Sequence, residues 1–387
     1  MILAALLLPL ALALVVLLVQ RFRLPAFLAL MATVVAYGVA ADMTFHSIGK
    51  AFGLGFVAAL EQVGLLVVAG ALAGALLLRQ PLPVAGTAVA GVLAGLGGTA
   101  AGGLALLQPA GRAVGLALTI LVVHGLVAPS PLAVASAAVM KAELAPMLWL
   151  AVPTAAVVVA GIWFHQARRQ ARDGVASWAW LALAAPIALL IVQAVAQMPT
   201  EPLGKGGARE FYTGISRPLI LLALVVVLAL ALSRRWQPEV LADTRWAPLL
   251  LAVGAAGGFA RVLDETGMAE LWAERLADPR LGLLAPFLAA ATVKTLQGNS
   301  LSAVLTASGI VEPMLPALGF DDPSGRALAA AAVGAGSIAI CHLNDPLFWI
   351  AAHMAGLTPG RALRLISLGS LGAALACLVL LFLVSRV

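Results

Sequence analysis

The sequence predicts an all-α polytopic membrane protein with about ten transmembrane helices, arranged as two inverted repeats that each carry a re-entrant hairpin and a broken helix. Three observations predict it: composition, the recurrence of helix-length apolar runs, and the places where glycine, proline and charge interrupt them. Of the 387 residues 63% are hydrophobic and 10% charged, which leaves a soluble globule far too little polar surface to cover itself. Runs of about 20 apolar residues, enough to cross roughly 30 Å of hydrocarbon, recur from Ala4 to Val384. They are Leu/Ala/Val stretches without the period-two alternation of an outer-membrane barrel, so helices are the way to satisfy backbone groups in lipid.

The net charge of +6 does not point to nucleic acid, because Arg and Lys collect in short loops between apolar runs, where they set topology. Cys341 and Cys377 sit in apolar segments without disulfide or metal-ligand spacing and read as packing residues. The run Ile2 to Val19 ends in Arg21 and Arg23 with no small-residue cleavage site, and reads as a retained helix. A bacterial inner membrane is the expected location, with the lipid bilayer as surroundings and no cofactor or metal.

Taken in order, spans are expected near 2–20, 24–41, 61–79, 111–127 and 147–165, then, after the polar linker 166–176, near 177–197, 218–233, 247–277 (interrupted), 325–341 and 361–385. The first repeat is 1–165 and the second 177–387. Two further stretches, about 81–108 and 281–316, are apolar but rich in Gly, Pro, Ser and Thr at their middles. They read as re-entrant hairpins, which survive at membrane depth where protein buries them or they line a wet cavity. The alternative is a polar loop outside the membrane. Broken helices follow each hairpin at about 111–142 and 325–356.

Locally, Ala59 to Gly64 lines up with Val262 to Gly267, each ahead of a hairpin, and each hairpin leads to a span containing a histidine, His124 or His342. Placing Arg21/Arg23, Arg79, Arg112, Arg168/Arg169/Arg172, Arg234/Arg235 and Arg361/Arg364 in the cytoplasm makes the halves run in opposite senses. Substrate sites in such proteins form at the midplane between repeats.

The candidate site follows from the interruptions. The second hairpin tip holds Gln297, Gly298, Asn299, Ser300 and Ser302, amides and hydroxyls between apolar arms, where half-helix N-termini point N–H groups at an anion. Lys294 lies three residues earlier. It neutralises a substrate carboxylate, pairs with an acid, or snorkels. In Cys341-His342-Leu343-Asn344-Asp345-Pro346 an ionisable pair interrupts an apolar span and Pro346 removes a backbone donor. Asp345 is the expected proton or ion site, a cap for the next half-helix, or both, beside Asn344 for substrate. The first half offers Gly98 and Thr99 at its hairpin and His124 and Ser130 at its break. With no carboxylate there, it is expected to supply hydroxyls and backbone, with His124 and His342 as further coupling candidates.

At these residues the chain resembles the gluconate:proton symporter (GntP-type permease) family of the ion-transporter superfamily, with similarity running from about Gly53 to the end. Its Ser-His-x-Asn-Asp-Ser-Gly-Phe-Trp pattern is similar to Cys341 to Trp349, preceded by Gly334 to Ser337, its Gln-Gly-Ser hairpin to Gln297 to Asn299, and its His-x3-Pro-Pro-x-Pro to His124 to Pro131. The resemblance implies proton-coupled symport of gluconate or a related sugar or hydroxy acid, through a homodimer whose hairpin-bearing core moves against a scaffold. The chain departs from the pattern at Asn299, Leu301, Ala128 and Pro346-Leu347, which bears on substrate identity.

Sodium coupling on the same architecture is the nearest alternative. A membrane-embedded enzyme is the rival from another class, but the sequence has no His-Glu-x-x-His, Asp-rich prenyl-diphosphate motif or Gly-x4-Gly-Lys loop. A channel needs polarity along a whole pore, and here it is confined to two patches.

Overall fold

The computed structural model describes residues 2–77, 83–110, 112–167, 181–233 and 246–385. Among them every regular element is helical. The chain opens with α1 (Ile2–Gln20), α2 (Ala26–Ala40), α3 (Phe45–Ala59) and α4 (Leu65–Leu77), followed by the helix–turn–helix pair α5 (Val84–Gly95) and α6 (Ala100–Leu106). The first broken helix is α7 (Ala113–Leu126) and α8 (Pro131–Val139), and α9 (Leu144–Ala167) closes this half. The second half holds α10 (Leu181–Ala196), α11 (Gly207–Gly214), α12 (Pro218–Ser233), α13 (Ala247–Asp264) and α14 (Met268–Leu276). A second helix–turn–helix pair, α15 (Leu284–Gln297) and α16 (Ser300–Val311), precedes a second broken helix, α17 (Pro323–Gly336) and α18 (Pro346–Met354). The final apolar helix ends in α19 (Leu368–Val384).

Six helices among the described residues are long and apolar enough to cross a membrane, seven if Gly207–Gly214 and Pro218–Ala231, bent by 53°, form one span. That is fewer than the expected count of about ten. Leu7–Gln20, Ala26–Ala40 and Leu183–Ala196 are apolar but short, the span expected at 325–341 is the 14-residue α17, and Ser300–Leu318, expected as a hairpin arm, is long enough to cross. The expected span at 61–79 starts much earlier. Thr44 caps it by accepting from the Ser47 N–H at 3.2 Å, and the helix runs from Phe45 through a π-helical turn at Leu60–Gly64. His46, Lys50, Glu61 and Gln62 break up its apolar pattern in sequence, which hid its first half. The linker 168–176, Arg79 and Arg234/Arg235 lie outside the described residues.

Large apolar side chains such as Trp149, Phe164 and Val227 point outward while small residues meet inside, the reverse of a water-soluble surface and the way helices associate in lipid. Where α3 crosses α13, a Cβ on Gly55 would lie 2.3 Å from the Gly257 carbonyl oxygen, so these backbones touch. Likewise a Cβ on Gly334 would lie 2.2 Å from the carbonyl oxygen of Gly125, which brings the two broken helices together. Polar side chains satisfy the backbone of the second break. Ser370 Oγ accepts from the Cys341 N–H at 2.9 Å, Ser367 Oγ donates to the Cys341 carbonyl at 2.6 Å, and Trp349 Nε1 donates to the Leu343 carbonyl at 2.8 Å. Such partners are what non-helical backbone needs at depth.

Candidate functional site

The two helix–turn–helix pairs turn by the same device. Gly298 sits at φ 72° and Gly98 at φ 61°, left-handed backbone open to glycine at little cost. The next residue caps the second helix. Asn299 Oδ1 accepts from the N–H groups of Leu301 at 2.8 Å and Ser302 at 3.3 Å, and Thr99 Oγ1 accepts from the Gly102 N–H at 3.0 Å. The tip N–H groups expected to face an anion are thus partly taken by the chain's own side chains.

The breaks also match. Ser130 caps α8 ahead of Pro131, accepting from the Ala133 N–H at 3.3 Å and donating to the His124 carbonyl at 2.6 Å. Asp345 caps α18 ahead of Pro346, its Oδ1 accepting from the Leu347 N–H at 2.8 Å. Its Oδ2 is left for other partners: Lys294 Nζ donates to it at 2.5 Å and Cys341 Sγ lies 3.2 Å away. Lys294 Nζ also donates to the Gly298 carbonyl at 3.0 Å, which ties the hairpin tip to the break. Lys294 is 1% exposed and Asp345 6%, so this is a buried ion pair, in which either partner alone would be an uncompensated charge.

Around this pair lies a cavity of about 330 Å³. Its walls bring together most of the expected residues: Gly98, Thr99, His124, Lys294, Gln297, Gly298, Asn299, Ser300, Ser302, Asn344 and Asp345. Ser130 and His342 do not line it. Ser130 is buried behind the cap, and His342 Nε2 donates to the Thr295 carbonyl at 2.7 Å, with Asn344 Nδ2 on the Thr295 and Leu296 carbonyls at 3.3 Å. These two side chains clamp the end of α15 to the break. His124 Nδ1 bonds the Gly95 carbonyl at 2.9 Å, which makes that nitrogen the protonated one.

The cavity also uses residues that the sequence reading passed over. Gln62, in the π-helical turn, Arg261 and Asp264 line it. Arg261 is held by Asp264 at 2.5 Å and Glu265 at 2.7 Å, while Gln297 Nε2 donates to Asp264 at 2.6 Å and Glu270 at 2.8 Å. The similarity between 59–64 and 262–267 marked this neighbourhood without assigning it a role, and π-helical turns recur at functional sites. Gly55, Ala58, Ala59, Gly257 and Ala260 give a smooth wall opposite. The arrangement combines a buried ammonium–carboxylate pair with several amides and hydroxyls, groups suited to a small hydroxylated anion.

The family model described as GntP family permease matches residues 104–387, beginning later than the resemblance from Gly53. The chain is 27% identical over 282 residues to the high-affinity gluconate transporter of Escherichia coli (strain K12), covering 65% of this chain and 63% of that protein. Over 117 residues it is 34% identical to the low-affinity gluconate transporter of the same strain, 30% of this chain and 26% of that one. Over 196 residues it is 28% identical to the Gnt-II system L-idonate transporter of that strain, 48% of this chain and 44% of that one. The chain thus spans less than two thirds of the length of these curated relatives.

Proposed function

The chain belongs to the GntP family of permeases, and from that premise we propose that it is a secondary active transporter carrying gluconate or a related sugar or hydroxy acid together with a proton. It is a multi-pass membrane protein and a permease, not an enzyme. Its membrane is the bacterial inner membrane. The observation that carries the substrate reading is the buried Lys294, presented to a cavity whose walls include both glycine turns and the capping residues Thr99, Asn299 and Asp345. A buried ammonium with amide and hydroxyl neighbours selects a carboxylate bearing hydroxyls. Names of relatives, gluconate and L-idonate transporters, support that substrate class.

In this reading Gln297, Gly298, Asn299, Ser300, Ser302, Gly98, Thr99 and Asn344 form the substrate shell with Lys294. Asp345 carries the proton. His342 and Ser130 hold the breaks in shape. In the first half the hairpin arms α5 and α6 have 12 and 7 residues and in the second half α15 has 14, at about 1.5 Å per residue too short to cross the hydrocarbon fully, whereas α16 continues to Leu318 as a 19-residue apolar helix long enough to cross. The short arms support a re-entrant first hairpin, the matched turn-and-cap devices support two repeats, and the placement of the arginines in the sequence supports their inverted orientation. A homodimer in which the hairpin-bearing core moves against a scaffold completes the mechanism.

Uptake of labelled gluconate into proteoliposomes tests the function. Accumulation should follow an imposed inward proton gradient and be competed by L-idonate. Accumulation under a sodium gradient alone would replace the proton in this scheme. No uptake of any sugar or hydroxy acid under either gradient would remove the substrate assignment.

A further inference from the structure

Coupling needs a reason why the proton and the anion move together, and the Lys294–Asp345 pair contains one. Lys294 is a buried cation whose Nζ is held by one carboxylate and one carbonyl, Asp345 Oδ2 and the Gly298 oxygen. The other cation on the cavity wall, Arg261, is paired with Asp264 and Glu265. An arriving carboxylate therefore finds no uncommitted ammonium. It gains Lys294 by displacing Asp345. Asp345 is built to be displaced without loss of the helix, because Oδ1 holds the Leu347 N–H while Oδ2 alone faces Lys294.

We propose that the substrate's carboxylate and Asp345 exchange places on Lys294, and that Asp345 takes up one proton at Oδ2 as it lets go. This rests on the reading that the cavity binds a sugar acid. The balance is simple. Lysine stays an ammonium throughout, the substrate stays a carboxylate, and a proton from the aqueous side converts Asp345 from carboxylate to carboxylic acid. Loss of the ammonium leaves Asp345 as an unpaired carboxylate out of water, and the proton neutralises that charge. The groups that face Asp345 are Lys294 from the hairpin arm, Cys341 at 3.2 Å, and His342 in the same unwound segment, with His124, Arg261 and Asp264 elsewhere on the cavity wall. His342 and His124 each give one ring nitrogen to a backbone carbonyl, of Thr295 and Gly95, whereas Asp345 is the group whose partner the substrate removes.

The exchange accounts for obligate coupling through the cost of unpaired charge. Empty, the site holds an ammonium and a carboxylate. Loaded, it holds an ammonium, the substrate's carboxylate and a neutral Asp345. Both states are neutral and can cross the low-dielectric interior. A protonated Asp345 without substrate leaves Lys294 bare, and a bound substrate beside an ionised Asp345 leaves one negative charge unpaired. Both are the buried single charges that proteins avoid. Proton without anion and anion without proton are excluded by the same rule, and symport of one monoanion with one proton is electroneutral.

Isothermal titration of the purified protein with gluconate, in buffers of different ionisation enthalpy, counts the protons taken up. The exchange predicts about one proton bound per gluconate and affinity weakening about tenfold for each pH unit over the range where that count holds. Asp345→Asn, which keeps the cap and the size, should bind gluconate with no proton uptake and flat affinity over that range. Binding in the parent without proton uptake overturns the exchange, and so does an unchanged pH slope in Asp345→Asn. Should that variant not fold, the proton count of the parent decides alone. No binding of any sugar acid by the folded parent at any pH overturns the substrate reading instead, and the exchange with it.

Discussion

At the first break Ser130 caps the helix that begins at Pro131, and at the second Asp345 caps the helix that begins at Pro346. Each is reached from a histidine six or three residues back, His124 or His342, and each stands near a hairpin whose turn glycine has positive φ, Gly98 or Gly298. The backbones solve one problem twice. The side chains differ in charge, since Ser130 turns inward to the His124 carbonyl whereas Asp345 reaches Lys294 on the other element. Among the described residues, the first break has a neutral cap and the second carries an ion pair that links hairpin to break. The repeated scaffold thus bears its buried charge pair in one copy.

The comparison can be broken most severely at the ion pair. Lys294→Met leaves Asp345 buried without its cation and should cost about 3 to 5 kcal/mol of stability, with gluconate binding lost. Lys294→Met combined with Asp345→Ser, which gives the second break the neutral cap of the first, should recover most of the stability and none of the binding. Denaturant titration of the purified variants measures both. A double variant as unstable as Lys294→Met would mean that the lysine serves packing and not charge.

The turns should show the next largest effect, and an asymmetric one. A Cβ at Gly298 would lie 2.5 Å from the Asn344 backbone oxygen at φ 72°, whereas one at Gly98 would lie 2.9 Å from the end of the Leu190 side chain at φ 61°. Both alanines pay for left-handed backbone, about 1 to 3 kcal/mol, but only at Gly298 must the break itself move. Gly298→Ala should lower the melting temperature more than Gly98→Ala and also weaken gluconate binding. Equal losses would show that the two turns are equally free to adjust. Smaller still are the neutral caps. Ser130→Ala and Thr99→Ala should each cost about 1 kcal/mol without changing the pH dependence of binding, which calorimetry across pH checks.

Much of this site was legible in the sequence because lipid makes interruptions costly. Gly298, Asn299, Asp345 and Pro346 stand out from apolar surroundings, and a polar residue there must have a partner. What the sequence left open was which partner. Lys294 and Asp345 are 51 positions apart, so pairing stood beside substrate binding and snorkelling as alternatives until the fold brought them together. Arg261, Asp264 and Gln62 were passed over because they sit near ends or irregular turns of helices, where charge reads as ordinary loop chemistry. The helix from Phe45 was missed for a related reason, since its polar residues masked a continuous span. At His342 the sequence marks a coupling candidate, and the fold shows one ring nitrogen on the Thr295 carbonyl and the other buried without a partner.

The central claim is that Asp345 carries the proton and that its partner Lys294 passes to the substrate. Its most direct test places the parent and Asp345→Asn in liposomes and measures two modes of gluconate movement. In the variant the empty site holds an unpaired Lys294 and cannot return across the membrane, whereas the loaded site remains neutral. The account predicts that Asp345→Asn exchanges internal for external gluconate but does not accumulate it under an inward proton gradient, while the parent does both. Accumulation by Asp345→Asn equal to that of the parent would contradict the account and leave Asp345 as a helix cap alone.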